Sequence, residues 1–547
     1  MIQTSQDVEE FRRRLFSALE INQQKRIIIH YGNRNSKSDI EQLHLEKAKE
    51  LYIIGEESRT DDMESYHDTM NMKCLDLVYE EVEKISHFKK IEKENGKESI
   101  DNRLLCRFMF EYQTTFNVFQ YSPISENIKK RINFKPFHYY EMWAQKVLVS
   151  KTLDKTSDYE YLPLEGEEGI KKDDSDYVHL VVVGMTRMGT ALATQAALMA
   201  HYPNFVTKGI RTKITLIDEN ADKEKNFFID RYDRLFALSN WSYKEMVRSE
   251  SGADKLETVF THTPIEHDYL GGDFLDVEWE FIQGTVAQLK LQQYIEDCAS
   301  KTKKMTIAIC KDEPSRCLAA ALNLDWRIYD KALQVLVYNR YDDALIKQIK
   351  PTVKTNFVTP FGNKLKAFGM ATECYCEELL SDVDFIAQEF NKVYGKVSAV
   401  ITASKSKQIT FQSKGKSPVA KNWSNIYNAN TLWTKLRCVK IEKETIDAED
   451  IDILAKVEHN RWVIEQLIMS YRHLSPEEQE QASKDANEKE WLKGEMAHLN
   501  ICSNEKLEEI DIESRQYDLA FAEELLRIKT DLDRYKNDGS RDNSTAC

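Results

Sequence analysis

Eight short apolar runs, five to seven residues each and separated by helix-length stretches, constrain this chain most. They are Arg26–His30 (RIIIH), Leu51–Gly55 (LYIIG), Leu104–Phe110 (LLCRFMF), Tyr177–Val183 (YVHLVVV), Lys213–Ile217 (KITLI), Trp279–Gln283 (WEFIQ), Met305–Cys310 (MTIAIC) and Leu333–Tyr338 (LQVLVY). Runs of that length bounded by polar stretches read as strands, and their alternation with stretches such as Met70–Ile85 reads as a parallel sheet covered by helices. The predicted class is therefore α/β. With 547 residues the chain exceeds what one core supports. The pattern divides it into an incomplete sheet unit over 1–150, an acidic linker over 151–176 and a complete unit over 177–400. A basic connecting segment over 401–446, a helical domain over 447–532 and a disordered polar tail over 533–547 follow.

The two sheet units repeat each other. IIIHYGN matches EFIQGTV in place and pattern, YIIGEES matches IAICKDEP, and CRFMFE matches LVYNR. In this pairing the first unit lacks the opening strand and glycine turn that the second possesses.

That turn is the most informative motif. Val181–Val183 end a strand, Gly184-Met-Thr-Arg-Met-Gly189 follows, and an Ala-rich helix begins. A dinucleotide fingerprint needs this strand, turn and helix, with the helix amides facing a pyrophosphate. Gly184 supplies the tight turn and Gly189 the close helix–strand approach. Thr186 stands where a second glycine would let backbone reach phosphate, although its hydroxyl can donate to a phosphate oxygen. Arg187 faces either phosphate or solvent. Asp218 ends the next strand (LIDEN), where a carboxylate can accept ribose hydroxyls.

Further on, Ile453–Tyr471 (ILAKVEHNRWVIEQLIMSY) is amphipathic at helical spacing, with Arg461 beside the apolar stripe and His459, Trp462 and Gln466 on the other side. That second side reads either as packing or as a ligand pocket. Ile401–Ile441 carries eight basic residues and no acidic one, which is either a solvated loop or an electropositive rim for a phosphorylated ligand.

Two resemblances attach to these residues. VVVGMTRMGTALATQAA with ITLIDEN resembles the TrkA-N (RCK-type) Rossmann domains of potassium-transport regulators. That resemblance implies NAD(H) or another adenine nucleotide bound as an effector, at Gly184, Thr186, Arg187, Gly189 and Asp218. LAKVEHNRW resembles the signature helix of ryanodine-receptor (RyR) domains, and the later stretch around His498 and Tyr517 is similar to their second half. Ser424, Asn425, Asn430, Lys435 and Arg437 resemble the lead-in of bacterial proteins that join the two domains. The RyR resemblance implies a ligand module, often linked to nucleotide-derived signals in defence or stress systems. Its candidate ligand residues are His459, Arg461, Trp462, His498, Tyr517, Ser424, Asn425, Lys435 and Arg437. Regulators of this type pair, which implies a homodimer, and a separate membrane protein is a possible partner.

Composition narrows the classes. A net charge of -15 argues against a nucleic-acid partner. No apolar run reaches bilayer length and the first residues lack a secretory core, so a cytoplasmic location is expected. The ten cysteines contain no CxxC pair, so no metal is expected. No nucleophile elbow, Walker loop or HExxH motif appears, which favours a non-catalytic protein. The acids that follow strands (Glu56, Glu57, Asp61, Asp62 and Glu111), with His67, are the nearest approach to a catalytic set.

Overall fold

All eight apolar runs become strands in the computed structural model, their ends shifted by at most three residues. The structure describes residues 1–17, 19–55, 66–91, 100–111, 126–149, 161–248, 254–264, 268–340, 361, 364–370, 376–404, 418–441 and 444–543. Glu56, Glu57, Asp61 and Asp62 lie outside them. The chain divides into two units, Met1–Tyr139 and Tyr140–Cys547.

The first unit contains β1 (Ile2–Thr4), β2 (Ile29–Tyr31), β3 (Glu50–Ile53), β4 (Leu104–Phe110) and β5 (Ile132–His138), with helices α1 (Val8–Ser17) and α2 (Tyr66–Glu83). Among the described residues β1 pairs only with β2, in parallel, while β3, β4 and β5 form a separate parallel sheet. Cys74, Leu75, Val78 and Val82 give α2 one buried face, as the spacing of apolar residues on a helix requires. β5 was not legible as a strand because Lys135 and Pro136 interrupt it. Proline is tolerated there because β5 has a sheet neighbour on one side only among the described residues.

In the second unit, α3 (Tyr139–Leu148) precedes β6 (Val178–Val183), α4 (Arg187–Met199), β7 (Thr212–Asp218), β8 (Trp241–Arg248), β9 (Asp254–His262) and β10 (Val277–Gln283). After these come α5 (Leu289–Lys301), β11 (Lys304–Ile309), β12 (Gln334–Tyr338) and β13 (Leu365–Phe368). Eight strands form one sheet in the order β9-β8-β10-β7-β6-β11-β12-β13, parallel except for the β8–β9 pair. All six residues of β6 are buried, as expected of a central parallel strand covered on both faces. From β6 the chain winds outward through β7 to β10. It then returns to the other side of β6 and winds outward through β11, β12 and β13. The reversal between β6 and β11 is a topological switch point, where ligands of open α/β sheets lie. The polar β8–β9 hairpin at the sheet edge, rich in Lys and Glu, carried no apolar run to reveal it.

Helices complete this unit: α6 (Glu377–Ser404), α7 (Pro418–Asn430), α8 (Leu432–Arg437), α9 (Ala448–Ile468) and α10 (Ile512–Asn543). α9 packs against both α10 and α4, and α6 against α7 and α10. Among the described residues no helix is long and apolar enough to cross a membrane.

Several expected boundaries move. The first unit ends at 139 rather than 150, because Trp143 of α3 is fully buried in the second, its Nε1 donating to Met370 O at 3.2 Å. The described part of the acidic linker, 161–176, is packed rather than free. The Tyr161 hydroxyl donates to Ala367 O at 2.8 Å, Gln334 exchanges hydrogen bonds with Leu162, and Ile170 is buried. The expected domains 177–400 and 447–532 are not separate bodies, since α6 joins the later helices and all lie in one unit. Of the basic segment, 401–404, 418–430 and 432–437 are helical and Lys435 and Arg437 are buried, while Lys405, Lys407, Lys414 and Lys416 lie outside the described residues. The tail expected to be disordered continues α10 to Asn543, where Lys529–Asp533 pairs at i,i+4 and Tyr535 stacks on Phe385.

Candidate functional site

The turn after β6 is built around two glycines. Gly184 has φ +106, and a Cβ there would sit 2.5 Å from Cys310 O at the end of β11. A Cβ on Gly189 would run into Gly184 O. Only glycine lets the turn close against β11 and α4 approach it. Thr186 caps α4, its hydroxyl oxygen accepting from Gly189 N at 3.4 Å while its proton goes to Cys310 O at 2.6 Å. The hydroxyl read as a phosphate donor is therefore spent across the switch point. Asp218 is also engaged: Met185 N–H donates to its Oδ2 and Asn220 N–H to its Oδ1, both at 2.8 Å. A carboxylate oxygen retains a second lone pair, so Asp218 can still accept from a ligand. Arg187 is exposed on the first turn of α4. At the mouth, Lys311 pairs with Glu219 at 2.7 Å and holds that carboxyl below its ordinary range. Neither residue had a sequence signal, because the pair joins the ends of two different strands.

The C-terminal candidate residues fall into two groups. In the first, charges are buried and mutually satisfied. Arg461 donates to Glu458 and Glu465, and Lys435 donates to Glu458 at 2.5 Å and Asn428 at 2.7 Å. Ser424 donates to Glu465 at 3.0 Å, and Arg437 pairs with Glu165 at 2.7 Å. Burial alone would raise the Glu458 carboxyl, but Arg461 and Lys435 hold it down to about 2. Asp518, half-buried near Glu458, is pushed well above the carboxylate range, first by desolvation and then by that neighbouring charge. α9 is thus buried nearly all round, and the amphipathic stripe is not what the structure shows, because a second polar side can be buried when every charge has a partner. Glu458 and Glu465 were missed, although their i,i+3 and i,i+4 spacing to Arg461 was a usable signal. Asn425 sits apart, 3.5 Å from Asn391.

The second group is aromatic. Trp462 lies 4.8 Å from the His498 ring, edge to face, and 6.1 Å from His459. His459 Nε2 donates to Cys502 O at 2.9 Å, and burial pushes its pKa down to about 4. Tyr517 stacks on Tyr394 at 4.7 Å. The helix spacing had set His459 and Trp462 beside Gln466, whose amide instead donates to Glu465 at 3.0 Å, and His498 was a candidate only through the resemblance.

In the first unit, His67 and Glu111 meet through Asp68, which the sequence places next to His67. His67 Nδ1 lies 2.9 Å from Asp68 Oδ1 and 3.8 Å from Glu111 Oε2, while Nε2 lies 3.0 Å from Ile54 O. Glu111 N–H donates to Asp68 Oδ1 at 2.9 Å. The set sits just past the C-terminal ends of β3 and β4, and His67 borders a cavity of about 1280 Å3. Among the described residues no group of three or more His, Cys, Asp or Glu is placed to hold a metal ion. No protein-family model and no curated protein sequence matches the chain.

Proposed function

We propose that this is a non-catalytic nucleotide-sensing regulatory protein, whose larger sheet is a Rossmann-type unit of the RCK kind. NAD(H) or a related adenine nucleotide binds in the crevice at Gly184 as an effector. One observation carries the reading: the Gly184 turn, the start of α4 and Asp218 converge at the switch point beside β11. The strand order β10-β7-β6-β11-β12-β13 is also that of doubly wound dinucleotide-binding sheets. A second, nucleotide-derived or phosphorylated ligand belongs to the helical RyR-like part. There Trp462 and His498 are the residues to recognise it, because Lys435, Arg437 and Arg461 have their charges met by Glu458, Glu465 and Glu165. A homodimer and a separate membrane protein as the responding partner belong to the same reading.

Thermal melts with NAD(H), NADP(H), ATP, ADP-ribose and cyclic oligonucleotides test it. Ligand at a hundred times its Kd stabilises a folded state by about 2.7 kcal/mol, a shift of a few degrees that Asp218→Ala removes. No shift with any of them overturns the reading and leaves a scaffold with vestigial pockets.

The buried His67, Asp68 and Glu111 favour a second reading, an effector enzyme acting on NAD or nucleotides. Mass spectrometry after incubation with NAD decides it: turnover lost in His67→Ala supports it, and intact NAD with and without the ligands above removes it.

A further inference from the structure

Among the described residues the first unit keeps part of the strand order of the second and lacks counterparts of β6 and of the β8–β9 hairpin. β2-β1 corresponds to β10-β7, and β3-β4-β5 corresponds to β11-β12-β13. In the second unit β6 stands between β7 and β11 and pairs with both in parallel. Among the described residues of the first unit no strand joins β1 to β3, and the whole of both strands lines the 1280 Å3 cavity. Ile2 N–H donates to Ile28 O at 2.7 Å, and Gly32 N–H donates to Thr4 O at 3.0 Å. Ile2 and Thr4 thus face β2, and the alternation of a parallel ladder turns the Gln3 backbone toward the cavity.

Side-chain exposure marks the same place. Tyr52 is 47% exposed and Ile54 51%, whereas their counterparts Ile307 and Ile309 in the repeat are 0% exposed. Ile28 is 62% exposed and its counterpart Phe281 0%. In the second unit α4, which follows β6, packs over β6 and β7. Tyr52 and Ile54 line the cavity, and large apolar side chains left exposed beside an open sheet edge mark a surface built to be covered.

We propose that this gap accepts a strand–turn–helix segment from a partner polypeptide. Its strand is a six-residue, β-branched apolar run of the β6 type, inserted parallel to β1 and β3, and its helix covers the exposed face. Main-chain hydrogen bonds on both edges supply the affinity, as in β-strand addition. The nucleotide reading of the Gly184 crevice is independent of this.

The test uses the intact chain. Residues 177–211 end directly before β7, as Met1 ends directly before β1, so a second copy of 177–211 is fused ahead of Met1. Hydrogen exchange of Gln3 and of Glu50–Ile53 is followed by mass spectrometry. Exchange slows at least 100-fold in the fusion, and a control fusion with Val178–Val183 replaced by Gly and Ser leaves it unchanged. A peptide of residues 177–200 added in trans gives the same protection in part, independently of how the fusion folds. Unchanged exchange with both fusion and peptide overturns the proposal. So does equal protection of the unfused chain by inorganic phosphate or ADP, which would make the cavity a small-anion site.

Discussion

Among the described residues the two sheet units differ by the β8–β9 hairpin at one edge and by one central strand, and the central strand separates a continuous sheet from a divided one. In the second unit β6 is buried over its full length, joins β7 to β11 and delivers the Gly184 turn to the switch point. In the first unit the flanking strands keep their order but split into sheets of two and three strands. A central parallel strand is thus both the core of such a fold and the support of its phosphate-type turn. Losing it removes a possible site and leaves apolar surface uncovered. What each unit retains is a buried polar set, ion pairs around Arg461 in one and hydrogen bonds around His67 in the other.

The largest expected effect breaks the ion-paired set. Arg461→Met leaves Glu458 and Glu465 with one fewer cation in a site where Arg461 is 1% exposed. Removing one partner of a buried pair costs about 3–5 kcal/mol. Denaturant melts should show that loss in the second unit's transition, while Arg461→Met combined with Glu465→Gln recovers part of it. A loss below about 1 kcal/mol would mean that water reaches the cluster.

The next effect is a pH dependence. His459 has its pKa lowered from 6.5 to about 4 by burial, so the folded state holds the neutral ring. Its contribution is complete above about pH 6.5, declines as pH falls and is gone below about pH 4, where both states are protonated. The total is of the order of 3 kcal/mol. Glu141 runs the other way, because burial raises its carboxyl to about 7 and folding then favours low pH. Comparing wild type with His459→Gln isolates the histidine, and the variant should lose less stability between pH 7 and pH 4.5.

A smaller effect belongs to the first unit. Both nitrogens of His67 face oxygen acceptors, Asp68 Oδ1 and Ile54 O. His67→Leu leaves both without that partner and costs about 1–3 kcal/mol. Urea melts followed by hydrogen exchange should place the loss in residues 1–139 alone. A loss spread over both units would show that they unfold together, and the comparison between them would then need a coupled description.

The legibility of the fold follows from its chemistry. Strands buried on both faces appear as apolar runs, so β6, β7, β10, β11 and β12 were all visible. β9 and β5 were not, since edge positions admit Lys, Glu and Pro, and neither was β8, which pairs with edge strand β9 and shares its Lys and Glu. The positions of Gly184 and Gly189 were readable because each glycine answers a local steric demand. The partners of Thr186 and Arg437 were not, because Cys310 and Glu165 lie 124 and 272 residues away and only the folded chain sets those distances. On α9 a helix-period reading gave the right helix and the wrong environment, since periodicity does not report whether a polar face meets water or buried counter-charges.

The smallest stability change carries the most information about the comparison, because it concerns the turn that only the second unit has. Thr186→Gly restores the glycine pattern of the turn. It removes a cap, which glycine replaces at a cost of a few tenths of a kcal/mol, and one hydrogen bond to Cys310 O, worth about 1 kcal/mol. The unliganded protein should therefore melt slightly lower. If the crevice takes a dinucleotide against its backbone, losing the Thr186 side chain opens the approach and NAD(H) should bind more tightly, by titration calorimetry, despite the lower melting point. If affinity falls instead, the hydroxyl leaves Cys310 to serve the ligand, and Thr186 belongs to the site rather than obstructing it. If neither affinity nor specificity moves, the pyrophosphate does not lie on the Gly184 turn. The second unit's central strand would then differ from the gap in the first only as core.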